Sequence, residues 1–125
     1  MKGITLSAVL CAFVASTLAA DCTGNSGSPT TDPYWELREN MCGTPPVFGC
    51  KYQENCILQT QETYQTFKFV VQLKRTNYDG VKGFADCWDA TEDMINQCIG
   101  SGWTDGATWK WNGQSYEFKA WYLDP

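Results

Sequence analysis

Residues 108–122 read Thr-Trp-Lys-Trp-Asn-Gly-Gln-Ser-Tyr-Glu-Phe-Lys-Ala-Trp-Tyr, and the fold turns on this stretch. Asn112-Gly113 stands between two alternating runs. A tight primed turn needs positive φ, which Asn and Gly tolerate best, so the pair predicts a two-residue hairpin. That turn sets Trp111 opposite Gln114 and Trp109 opposite Tyr116. With a period of two, Trp109, Trp111, Gln114, Tyr116, Phe118, Ala120 and Tyr122 share one face. Lys110, Ser115, Glu117, Lys119 and Trp121 share the other. One face is mostly apolar, so the hairpin must lie on something.

The element it lies on is upstream. From Phe84 to Ile99 the apolar residues recur at steps of three and four, which predicts a helix. Asp86 is placed to cap its start, Asp89 sits in the first turn, and Gly100 is a natural stop. Between Tyr64 and Lys74 the period is two instead. Phe67, Phe69, Val71 and Leu73 point one way, and Thr66, Lys68, Val70, Gln72 and Lys74 the other, as in a half-buried strand. Asn77-Tyr-Asp-Gly80 supplies turn residues that end it. Residues 51–62 read as either a loop or a short strand. Asp32-Pro33 suggests an N-cap and a proline at the first helical position, opening a short helix that ends near Cys42-Gly43. Gly43-Thr-Pro-Pro-Val-Phe-Gly49 reads as a loop, and residues 21–31, rich in Gly, Ser and Thr, as a flexible arm held by Cys22.

The first twenty residues have the pattern of a secretory signal peptide. Met1-Lys2 gives a basic start, Ile4–Leu18 is apolar or small, and Ala19-Ala20 precedes polar Asp21. Cleavage after Ala20 is expected, with Ala19 as the alternative. The run is too short to span a membrane, so no stable membrane insertion is expected. The domain organisation is therefore a signal peptide over 1–20 and one cysteine-rich secreted domain over 21–125. Cleavage removes Cys11 and leaves Cys22, Cys42, Cys50, Cys56, Cys87 and Cys98, an even number suited to three disulfides in an oxidising compartment. Cys87 and Cys98 lie about 16 Å apart along an α-helix, whereas a disulfide joins Cα atoms about 4.4–6.8 Å apart. They cannot pair with each other, so the helix must be stapled twice to other segments. The expected fold class is α+β: a small two-layer, disulfide-stapled domain, its antiparallel sheet of three or four strands packed on one main helix.

Charge and composition exclude more than they assign. The chain has nine basic and fourteen acidic residues and no histidine. Loss of Lys2 leaves a net charge of −6, which disfavours nucleic acid as a partner. Without histidine there is no Ser-His-Asp or Cys-His machinery and no histidine metal site. No metal and no cofactor is expected. Asp86, Asp89, Glu92 and Asp93 form the densest acidic set. Two carboxylates about 5–9 Å apart serve glycoside hydrolysis, but a solvated helix face explains the same spacing, so no catalytic residue is assigned. Aromatic side chains make up 14% of the chain, enough either to fill a small core or to build a contact face. Trp109, Trp111, Trp121 and Tyr78 are the candidate ligand-binding residues. An indole stacks on the C–H face of a sugar ring, and Trp is enriched where proteins bind. Trp121 stands out because it falls among polar residues on its strand face.

The cysteine framework, the segment Asp86-Cys87-x10-Cys98-Ile99-x-Ser-Gly102 and the aromatic hairpin after it resemble the small secreted cysteine-rich proteins of filamentous fungi. Within them they are similar to killer-toxin-like and small glycan-binding proteins, which are compact α/β sandwiches. The resemblance implies a secreted effector-like protein, not an enzyme, that acts on a host or a competitor. It would be a monomer whose partner is a host protein or a glycan. The alternatives are a lectin-like protein using the aromatic hairpin, and a toxin or antimicrobial protein.

Overall fold

The computed structural model describes residues 19–24, 27–43, 55–64, 66–78, 86–102, 104–111 and 113–123. The segment 1–18, residues 44–49 of the predicted loop, Phe84 at the start of the predicted helix, and Asn112 lie outside them.

The hairpin has the register its sequence dictates. Strand β4 (Gly106–Trp111) pairs with β5 (Gln114–Leu123), with Trp111 opposite Gln114 and Trp109 opposite Tyr116. Gly113 sits at φ 75°, a conformation that costs a residue with a Cβ about 1–2 kcal/mol. Strand β3 (Phe67–Asn77) lies antiparallel to β5 on its other side, and β2 (Cys56–Tyr64) lies antiparallel to β3 at one edge. At the opposite edge β1 (Asp21–Thr23) pairs with β4. The strand order is β1-β4-β5-β3-β2.

Five strands replace the three or four expected, for two reasons. The arm at Asp21–Thr23 is a strand because Cys22 is bonded to Cys98, which holds it along β4. No local propensity announced this. Residues 56–64 are a strand along their whole length, but only Leu58 among the residues between Cys56 and Thr63 is buried, so the alternation that marks a buried strand is faint. The predicted strand also continues three residues past Lys74. Arg75 occupies an inward position, 3% exposed, with its Nη1 donating to the Met41 carbonyl oxygen at 3.5 Å.

Two helices, not one, cover the sheet. Helix α1 (Asp32–Cys42) lies over β2 and β3, and α2 (Cys87–Met94) over β4 and β5. A five-stranded sheet is about 19 Å wide and a helix about 10 Å, so one helix leaves half the apolar face wet. Thr31, rather than Asp32, is the residue before the first helical turn of α1. After Met94 the helix continues through Ile95–Ile99 with wider π-type turns, closed by Gly100 N–H donating to Ile95 O.

Cys42–Cys87 joins the two helices and Cys22–Cys98 joins the second helix to β1, with Cα separations of 5.6 and 5.2 Å. Helix-to-elsewhere stapling is therefore correct for both Cys87 and Cys98. Cys56 is disulfide-bonded as well, and Cys50 lies outside the described residues. Beside the Cys42–Cys87 bond, the Arg38 guanidinium lies 5.4 Å from the Trp35 ring and 4.6 Å from the Trp88 ring. It also donates to Trp88 O and to Thr91 Oγ1.

The core lies between the layers. Tyr34 is at its centre, edge-on to Phe118 at 5.2 Å and tilted against Phe69 at 6.2 Å. Phe69, Val71, Leu73, Tyr116 and Phe118 face the helices and are buried. At one end Tyr116 donates to Gln114 Oε1, and Gln114 Nε2 donates to Asp86 Oδ2. This chain satisfies the fully buried Gln114 and ties the start of α2 to the hairpin.

Candidate binding surface

Trp109 and Trp121 are twelve residues apart in one hairpin and end on opposite faces of the sheet. Trp109 points at α2, edge-on to Tyr116 at 5.8 Å, and is 3% exposed. It is therefore core, and a sealed ring has no face to offer a ligand. Its Nε1 is buried and falls short of hydrogen-bond geometry, yet it lies near enough to the Asp93 carboxylate to favour its ionised form. Trp111 continues on the same side but overruns the helix layer and is 48% exposed. Tyr78 is 59% exposed at the same end of the sheet, where its N–H donates to Gly113 O at 2.8 Å. Trp121 lies opposite Val70, seven residues or about 24 Å along β5 from Gln114. The four candidates thus form no single site: Trp111 and Tyr78 share the turn end, and Trp121 stands apart on the open face.

Around Trp121 the surface is hollowed. Thr23, Gly24, Asp105, Glu117, Lys119 and Trp121 line a depression of about 300 Å³, at the lower end of small-ligand sites. Its rim is set by the core. The buried Tyr34 hydroxyl, its pKa raised far above the usual phenol range by burial, donates to Asp105 O at 2.7 Å. Gly24 sits at φ 98°, and a Cβ there would collide with the Asp105 carboxylate. Strand β1, clipped by Cys22–Cys98, closes one side. A second hollow, of about 490 Å³, lies toward the β2 edge and is lined by Asn55, Ile57, Lys74, Arg75 and Thr76.

The two layers differ in charge. Helix α1 carries Asp32, Glu36 and Glu39. Helix α2 with its cap carries Asp86, Asp89, Glu92 and Asp93. Arg38 is the only cation on either helix. The open face of the sheet carries Lys68, Lys74, Lys110 and Lys119, all exposed, against Glu117 and Asp21. Sequence reasoning missed these lysines as a group. Alternation placed each on a polar face, but only the strand order makes those faces one surface.

The acidic set resolves into separate roles. Asp86 accepts the Gln114 bond described above and is part of the framework. Asp93 is partly buried, and that burial raises its carboxyl pKa, Trp109 pulling it back and Asp89 and Glu92 adding to the rise. These groups sit on the helix layer, across the sheet from Trp121. No group of three or more metal-ligating side chains occurs among the described residues. No helix among them is long and apolar enough to cross a membrane.

Compared with known proteins, the chain matches no family model, no curated protein and no solved structure. The site's own geometry carries the functional argument.

Proposed function

We propose that the chain is a secreted effector-like protein that acts outside the producing cell by binding a host or competitor target, without catalysis. The contact surface is the open face of the sheet around Trp121. The observation that carries this reading is the placement of Trp121. It is a partly exposed indole in a lined hollow, on a face that carries four exposed lysines, Glu117, Asp21 and polar Gln, Thr and Ser side chains, next to the buried Val70. Bare indole surface in water is a cost to the free protein and a gain on binding, which is why Trp concentrates at interface centres. Disulfides fit an oxidising compartment, and the resemblance to fungal secreted proteins fits an extracellular role.

The test uses labelled, oxidised protein, residues 21–125, on intact cells and walls of candidate hosts and competitors. The expected result is retention that Trp121→Ala abolishes while the circular dichroism spectrum stays as in the parent and Tm falls by no more than about 4–8 °C. Retention that survives Trp121→Ala, or no retention on any of these surfaces, overturns the reading.

A further inference from the structure

The geometry points to an acidic carbohydrate chain, one carrying uronate carboxylates, as the ligand of the open sheet face. The inference rests on the reading above and names the class of target. Its basis is the arrangement of four lysines around one tryptophan. By register, Lys68 lies opposite Leu123, Val70 opposite Trp121, Gln72 opposite Lys119, and Lys74 opposite Glu117. Lys110 lies opposite Ser115 one strand further on. From strand rise and spacing, successive lysines along this path are about 8–14 Å apart at their Cα atoms, and the path runs about 30 Å diagonally across the face. Lysine side chains reach several ångströms further, so they can follow a linear chain of charges rather than a single ion. Trp121 sits between Lys68 and Lys119, where an indole can stack on a pyranose ring while ammonium groups on either side meet carboxylates. The hollow beside it, with Asp105 and Glu117 on its rim, offers acceptors to sugar hydroxyls.

Net charge argues against a polyanion, and the layer segregation answers it. A surface responds to its local field, and at an ionic strength of about 0.15 M the field is screened within about 8 Å. The helix-borne carboxylates lie behind a sheet and a core, roughly 10 Å away. Carbohydrate is favoured over single-stranded nucleic acid because, among the described residues of the face, Trp121 is the one tryptophan, whereas single strands are held by successive stacked bases. An anionic lipid surface fits less well, because the exposed positions of the face are mostly polar: Ile57 and Leu123 lie at its margins, Trp121 is partly exposed and Val70 is buried.

The experiment is a tryptophan-fluorescence and calorimetric titration of the oxidised protein with a polygalacturonate fragment of about ten residues. The same fragment fully methyl-esterified, a single-stranded oligonucleotide of equal charge, and vesicles with anionic lipid are run in parallel. The acid fragment is expected to bind, and to lose roughly tenfold in affinity between 50 and 200 mM salt as counterion release weakens. The ester is expected not to bind. Trp121→Ala and the pair Lys68→Ala/Lys119→Ala each weaken binding at least fivefold, while Glu36→Gln on the helix layer does not. Equal binding of the ester, tighter binding of the oligonucleotide or vesicles, or no binding of the acid fragment overturns the inference. If it fails while Trp121-dependent retention on cells persists, the binding function stands and only the ligand class falls.

Discussion

At Asp93 the surroundings set the protonation preference and so a pH dependence. Burial raises its carboxyl pKa in the folded state, with Asp89 and Glu92 adding to the rise and Trp109 opposing it. The protonated form is thus the one the fold prefers. The stability it contributes is complete below the unfolded-state value near 3.8 and is lost as pH rises through the raised folded-state value. At neutral pH the ionised carboxylate is therefore a cost. Asp93→Asn is expected to raise Tm at pH 7, by roughly 2 °C or less because the group is only partly buried. The difference should close near pH 3. Thermal melts of both proteins at the two pH values check this, and a variant that melts lower at pH 7 contradicts it. Neighbouring carboxylates at helical spacing are visible in the sequence. The buried indole beneath one of them is not, because that contact joins α2 to β4.

At the scale of elements, the short strand β1 depends on its cross-link. Three residues of edge strand cannot hold themselves in register, since each paired residue loses about 1–2 kcal/mol of backbone entropy. Cys22–Cys98 closes 76 residues and Cys42–Cys87 closes 45, and chain-entropy reasoning assigns each about 4 kcal/mol. Replacing Cys22 and Cys98 together by Ser is expected to cost about 2–4 kcal/mol and to free β1. Hydrogen exchange should then accelerate at the β4 amides that face β1, while β3 and β5 stay protected. Uniform acceleration along all strands would show that the bond supports the whole sheet instead. The hairpin and β3 were legible because each carries a strong local signal, the Asn-Gly turn in one and strict alternation in the other. Edge strands β1 and β2 carry none. An edge strand buries few side chains, and burial is what writes periodicity into a sequence.

At the scale of the molecule, the sheet has one face packed under the helices and one that the helices leave uncovered. Phe118 and Trp121 are three residues apart on β5 and belong to opposite faces, so they separate the two roles. Phe118→Ala is expected to cost about 3–5 kcal/mol by opening a cavity between the layers. Trp121→Ala, on the open face, is expected to cost about 1 kcal/mol or less. Urea titration of both variants decides it. Similar losses would mean that Trp121 is structural and its exposure incidental.

The sequence by itself determined the hairpin register, the helical run up to Gly100, the central strand, and the exclusion of a Cys87–Cys98 bond. Each follows from chain geometry over short stretches of the chain, the longest being the helical run Phe84–Ile99. Tertiary structure decided which surfaces became core and which were left exposed. Whether an aromatic face is a platform or a core depends on what covers it. Here α2 covers Trp109, whereas Trp121 on the other face is partly exposed. The strand order likewise gathers lysines as distant as Lys68 and Lys119 onto one face, whereas the helices keep most of the acids on the other layer. A net charge is a sum over residues and is fixed by the sequence, but a field depends on distances, and only the fold sets those.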